Sequence, residues 1–427
     1  MIFENVGVLR ADGMYLPSCY VGVKDAYIRY VGSQKPAEDF GEVIDGRGRL
    51  LVPGMVNAHT HVPMTLMRGY GEDLPLQKWL FDRIFPFEDQ LTSEAVYWGS
   101  MLGIAEMLMT GTVSFTDMYY FCDDIVQAVE ETGIKANIGR GITCFDPAKR
   151  LADIPAYAET RALLERFRGT DGRIRIDVAP HAEYTTRPDI LRDAAELASQ
   201  YGARMQIHLS ETKSEHEECL TRHGKTPTRL LEEVGVLSHP LTAAHGVWVT
   251  DDDIACLAAH GATLAHCAKS NLKLGSGIAP VVRAKQAGLS VAIGTDSAAS
   301  NNVLDMVDEM RTAALLAKGA ACDATVMSAE EVLRMGTRVG ALSQGRTDCG
   351  DVAEGFRADM VMVDATAIGM CPLHAPLSEF LYGAGSRAVC MTVVDGRVLY
   401  RDGSFLTIDI ERVKYEVQRV VNRIVGK

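Results

Sequence analysis

Two stretches of β-type texture at the ends of the chain, with a regular alternation of apolar strands and amphipathic helices between them, predict an α/β fold. The architecture expected is a (β/α)8 TIM-type barrel over residues 54–343, with a small β-sandwich assembled from residues 1–53 and 344–427. A third observation points the same way. The ionisable residues with metal-binding or proton-transfer chemistry fall at the carboxyl ends of the candidate barrel strands, where such barrels build their active sites.

The amino-terminal elements are short strand-like runs, Ile2 to Val6, Tyr27 to Gly32 and Glu42 to Gly46, separated by glycine and Asp-Gly turn signals. Between Gly54 and Ser343 the candidate strands are 54–59, 112–117, 135–140, 173–179, 204–208, 241–244, 263–266 and 290–294, eight in all. Helical spacing fills most of the gaps, for example over 93–109, where Ala95, Val96, Met101, Leu102, Ala105 and Leu108 share a side, and over 188–201. Beyond the barrel, 359–364 reads as a strand and 389–400 as a hairpin turning at Asp395-Gly396. The stretch from about Ile410 to Val425 has helical apolar spacing and is expected to pack on the outside.

The 427 residues, 47% of them hydrophobic and 23% charged, are enough for a barrel plus an appendage. A formal charge of −13, without Lys/Arg clusters, argues against nucleic acid or an anionic membrane as the main partner. A small-molecule substrate and water fit better, and a homo-oligomer stays open. Ten scattered cysteines with no C-x-x-C pair suit a reducing compartment. The first residues lack a basic segment followed by a long apolar one, and no run reaches the roughly 18 apolar residues of a membrane span. The expected location is cytoplasmic.

Four short segments, Asn57-Ala58-His59-Thr60-His61, Ile207-His208-Leu209-Ser210-Glu211, Ala244-His245-Gly246 and Gly294-Thr295-Asp296, read together as one hydrolytic metal site. His59 and His61 are two apart, so on a strand both rings point to one face and can bind one ion. His208 is the expected third ligand and Asp296 the fourth. Imidazole and carboxylate together suit one divalent metal per chain, best Zn2+, that makes water a nucleophile. A lysine at the end of the fourth strand would bridge two metals as a carbamate; His181 stands there, which favours a single ion. Glu211, three residues beyond His208, is placed to shuttle a proton, and His245 to polarise the same water. His216, His223, His239, His260 and His374 lie in polar or helical stretches and carry no expected role, while His266 is a candidate for lining the pocket.

The string Val56-Asn57-Ala58-His59-Thr60-His61, the segment from Ser270 to Pro280, and Gly294-Thr295-Asp296-Ser297-Ala298-Ala299-Ser300-Asn301-Asn302 resemble the amidohydrolase superfamily. Within it they resemble the 5-methylthioadenosine/S-adenosylhomocysteine deaminases, over nearly the whole chain. The resemblance implies hydrolytic deamination of an adenine nucleoside at C6, with Glu211 protonating N1 and His245 and Asp296 orienting the attacking water. It also implies that Glu88 binds the ribose, that His181 contacts the purine, and that Arg140 and Arg150 lie near the nucleoside tail and favour a carboxylate there. One departure is Ser297, where many members have glycine after the aspartate. The catalytic motifs are shared with enzymes acting on guanine-like bases and s-triazines, so those substrates stay open as alternatives. A non-catalytic binding barrel is the remote one.

Overall fold

The computed structural model describes residues 1–170 and 172–426. The amino-terminal strands are β1 (Ile2–Leu9), β2 (Tyr15–Lys24), β3 (Tyr27–Gly32), β4 (Val43–Asp45) and β5 (Arg49–Pro53). The barrel strands follow as β6 (Met55–Thr60), β7 (Thr112–Tyr119), β8 (Lys135–Ile142), β9 (Ile174–Pro180), β10 (Met205–Leu209), β11 (Leu241–His245), β12 (Thr263–His266) and β13 (Ser290–Ile293). Near the carboxyl end come β14 (Met360–Asp364), β15 (Val389–Val394), β16 (Arg397–Arg401) and β17 (Ser404–Phe405).

β6 to β13 form an eight-stranded parallel sheet in chain order, the expected barrel. Its first and last strands meet through a few specific bonds. The Asp296 N–H donates to the His59 carbonyl at 3.0 Å, and the Asn57 amide donates to the Thr295 hydroxyl at 2.7 Å. Gly294 permits this approach, because a Cβ there would lie 2.9 Å from the His59 nitrogen. Small side chains, Ala58, Ala265 and Ala292, pack together in the barrel interior. The amino end of the barrel is plugged by the segment after its last helix: Ser114 donates to the Gln344 side chain at 2.5 Å, and Arg346 donates to the Ala136 carbonyl at 3.1 Å.

The other strands make one sheet in the order β17-β16-β15-β14-β5-β1-β2-β3, with β4 paired to β1. Its two ends share a core separate from that of the barrel, in which Phe3, Val6 and Val21 meet Met360, Met391 and Val393. That is the composite sandwich. β2 and β5 were not expected. β2 carries Pro17 and Gly22, which break the alternation that marks a strand, and β5 is a buried apolar run without alternation. The hairpin at Asp395-Gly396 turns with both residues in the left-handed region, φ 47° and 72°.

Helices Ser93–Met109 and Pro188–Tyr201 have the expected bounds, and the last helix, Ile410–Ile424, packs on the first of these. Among the described residues no helix is long and apolar enough to cross a membrane.

One buried charge ties barrel to sheet. The Lys135 ammonium, on β8, lies 2.5 Å from Asp359 and 2.7 Å from Asp395, and its side chain is 1% exposed. Burial alone would lower the lysine, yet the two carboxylates outweigh it and hold the ammonium above its usual range. Removing one member of such a cluster leaves uncompensated buried charge. Lys135→Met should therefore cost about 3–5 kcal/mol, read as an earlier urea unfolding midpoint. An unchanged midpoint would show that the cluster contributes nothing net.

Candidate metal and catalytic site

The carboxyl ends of β6, β10, β11 and β13 bring His59, His61, His208, His245 and Asp296 into one buried cluster. Ring centroids of His59 lie 4.9 Å from those of both His61 and His208 and 5.4 Å from that of His245. His181, at the end of β9, has its ring 4.5 Å from that of His208.

Hydrogen bonding fixes the rings. His61 Nδ1 lies 2.5 Å from the Met118 carbonyl, and His208 Nδ1 lies 2.7 Å from the His181 carbonyl. A carbonyl only accepts, so both Nδ1 atoms carry the proton and both Nε2 atoms present bare lone pairs when the rings are neutral. Those two Nε2 atoms face each other at 3.2 Å. His59 Nε2 is buried and has no hydrogen-bonding partner among the described residues. Asp296 Oδ1 stands 3.4 Å from His61 Nε2 and 3.7 Å from His59 Nε2.

Lone pairs held against one another in a dry site are repulsive, and a buried acceptor without a donor costs about 1–3 kcal/mol. A cation would satisfy all four atoms, and the set of three imidazoles and a carboxylate suits a divalent transition metal. The residues present fit such an ion.

The titration of the cluster agrees. Burial, reinforced by neighbouring imidazoles, pulls His59 and His208 well below the usual histidine range, so both stay neutral and able to donate lone pairs. For Asp296 burial acts upward, but the imidazoles of His245, His61 and His59 prevail and the carboxylate is held well below its ordinary value. Its outer oxygen accepts from Ser270 at 2.5 Å and Ser300 at 2.8 Å, which turns Oδ1 toward the histidines. The Ser297 hydroxyl lies 3.0 Å from that of Ser300 and so extends this chain while lining the pocket.

Glu211 is buried with Oε2 3.9 Å from His245 Nε2. Burial raises its carboxyl, partly opposed by His245. His245 itself is pulled down by burial but raised further by Glu211 and Asp296, and Asn271 accepts from its Nδ1 at 2.9 Å. The backbone here is strained, with Ser210, His245 and Asp296 at φ 45°, 72° and 58°.

Beneath Glu211 lies Glu215, whose carboxylate accepts from the backbone N–H of Ser210 at 2.8 Å and of Glu211 at 2.7 Å. Sequence reasoning missed it, although Thr212 and Glu215 form a capping box whose spacing is visible in the chain. Asn271, Ser270 and Ser300 were missed as well; small polar residues carry no period that marks them. His266, a candidate for the pocket wall, does not line the reaction pocket; it lines a separate cavity beside Pro280 and Leu316.

The reaction pocket is walled by Trp79, Phe85, Tyr119, Tyr120 and Tyr184, with His181 and Glu88 at its outer side. Burial pushes the Glu88 carboxyl up to about 7, with the neighbouring Tyr119 hydroxyl opposing the shift. Arg140 lines an adjoining outer chamber. Arg150 does not join it: the residue is exposed and stands outside the lining of both cavities.

Fold and site together define a barrel hydrolase of the metal-dependent kind. The amidohydrolase family model matches residues 50–399, and the chain belongs to that family. Within it, the chain is 42% identical over 410 residues, 95% of this chain and 94% of the other, to a 5-methylthioadenosine/S-adenosylhomocysteine deaminase from Desulforamulus reducens. A deaminase of the same name from Pyrococcus furiosus is 38% identical over 424 residues, covering 99% of this chain and all of the other. Among solved structures, an adenosine deaminase from Xanthomonas campestris with bound zinc superposes with a TM-score of 0.94 at 34% identity, covering 100% of this chain and 98% of that one.

The facing Nε2 atoms make His208 a direct test of the metal site. In His208→Ala, bound metal measured by elemental analysis and catalytic turnover should fall together. Full metal content in that variant would remove His208 from the ligand set.

Proposed function

We propose that this protein hydrolytically deaminates an adenine nucleoside at C6, with S-adenosylhomocysteine, 5′-methylthioadenosine and adenosine as the candidate substrates. The observation that carries the reading is the buried proton-transfer carboxyl of Glu211, set 3.9 Å from His245 beside a histidine/aspartate cluster and under an aromatic-walled pocket. The named relatives support the same chemistry.

His59, His61, His208 and Asp296 would hold one divalent metal per chain, Zn2+ being the ion that the donor set and the zinc-bearing neighbour favour. Such an ion, when bound, supplies a Lewis acid that lowers the pKa of water to roughly 7. The chain's own residues do the rest. The aromatic wall stacks the purine and excludes water. Glu211, kept protonated more readily by its burial, donates a proton to ring N1 and so withdraws electrons from C6. As the C6–O bond forms, His245 and Asp296 hold and accept the remaining proton of the attacking water. The C6–N6 bond then breaks and ammonia leaves, with Glu211 able to return a proton to the departing nitrogen. His181 faces the purine, and Glu88 accepts hydrogen bonds from the ribose hydroxyls.

Loss of adenine absorbance in a screen of adenosine analogues tests the activity; no turnover of any adenine nucleoside would favour a base or triazine substrate. Glu211→Gln keeps the shape and removes the titrating group, so turnover should drop about 10²- to 10⁴-fold with metal retained. Near-normal turnover would take Glu211 out of the mechanism.

The Glu88 carboxyl gives a pH signature. Its value of about 7 lies above that of an ordinary carboxyl, so the carboxylate that accepts from two hydroxyls forms as pH rises through about 7. In kcat/KM, the preference for a ribonucleoside over its 2′,3′-dideoxy analogue should grow across that window, and should be flat with pH in Glu88→Gln. A wild-type preference that does not change with pH would detach Glu88 from the ribose.

A further inference from the structure

The reaction pocket opens into an outer chamber of about 790 Å3, the two sharing Phe85, Glu88, Tyr120 and His181. If the base lies among the histidines and the ribose reaches Glu88, the 5′ substituent of a nucleoside points into this chamber. Its walls are rich in carboxylates, with Asp89, Asp123, Asp124 and Glu159 joining Glu88. Asp123 is answered by Arg166 at 3.1 Å. Among the lining residues the guanidinium of Arg140 is the counterweight.

That guanidinium is already engaged. Its Nε pairs with the Glu159 carboxylate, its Nη1 donates to the Gly141 carbonyl at 2.5 Å, and its plane sits 4.8 Å from the centre of the Tyr120 ring. Arg140 comes from β8 and is 15% exposed; Glu159 comes from the following helix, Pro155–Arg166, and is 45% exposed.

We propose that Glu159 sets the charge selectivity of this chamber: by occupying Arg140 it withholds the guanidinium from anionic 5′ tails, so that neutral and ammonium-bearing tails are preferred. The inference rests on the adenine-nucleoside reading above. A tail carboxylate that reaches Arg140 must displace Glu159 and then stand beside it as a like charge, near Asp89 and Asp124. A neutral tail meets no such competition, and an ammonium is attracted. Because the pair is partly open to solvent, the discrimination is modest and weakens with salt. Glu159 acts here through Arg140, as a positioning residue.

The test uses the metal-loaded full-length enzyme and three 5′-thioadenosines with tails of equal length, ending in methyl, carboxylate or ammonium. In wild type, kcat/KM should be lowest for the carboxylate. Glu159→Gln should raise the carboxylate-to-methyl ratio by about threefold or more, chiefly through KM, and should shrink the preference for ammonium. The gain should vanish in Glu159→Gln combined with Arg140→Met, and should fade in about 0.5 M salt. Should Glu159→Gln fail to fold, Glu159→Asp, which shortens the reach to Arg140, should move the ratio in the same direction by less. An unmoved ratio, or one that falls, overturns the inference while turnover of the methyl-tailed compound keeps the deaminase reading intact. Absence of wild-type turnover on all three and on adenosine overturns that reading and this inference with it.

Discussion

Neutral imidazoles whose lone pairs point at each other set the terms for the rest of this molecule. His61 and His208 cannot relieve the conflict by turning, because each Nδ1 is anchored to a carbonyl. The anchors belong to neighbouring strand ends, so ring orientation is a property of the barrel itself. Asp296 reaches the cluster because β13 closes against β6 through backbone and side-chain bonds that require Gly294. Strain at Ser210, His245 and Asp296 is concentrated where the chain must leave a strand and aim a side chain inward.

A layer of uncharged or shared hydrogen bonds surrounds that cluster and gives each reacting group one orientation. Ser270 and Ser300 turn Asp296, Asn271 turns His245, and Glu215 cradles the turn that carries Glu211. Burial then separates the carboxyl groups by role. Asp296, among imidazoles, stays ionised; Glu211 and Glu88, among aromatic and apolar walls, bind protons more readily.

Much of this was legible in the chain because barrel strands and their intervening helices have short, repeating signals. Seven of the eight barrel strands differ by no more than two or three residues at either end from the apolar runs that mark them, and Thr263–His266 matches outright. The histidines and Asp296 were readable because their positions follow strand ends. β2 was not, since Pro17 and Gly22 interrupt its pattern and its register against β1 shifts twice over its length. Contacts between distant segments were also hidden. Nothing local tells that Arg140 meets Glu159, or that Arg150, on a loop with little pattern of its own, stands clear of the chamber.

The composite sheet has a temporal consequence. β5 is hydrogen-bonded on one side to β1 and on the other to β14, whose residues Met360–Asp364 leave the ribosome some three hundred positions later. Until then the Leu50-Leu51-Val52 edge has no partner, and an apolar strand edge is a template for pairing with other chains. The entire barrel is synthesised in that interval, and its plug at Gln344 and Arg346 arrives just before β14. Closure of the barrel floor and protection of the β5 edge are thus neighbouring events late in synthesis, so a chain interrupted between them would carry a finished set of metal-site residues on a molecule prone to aggregate.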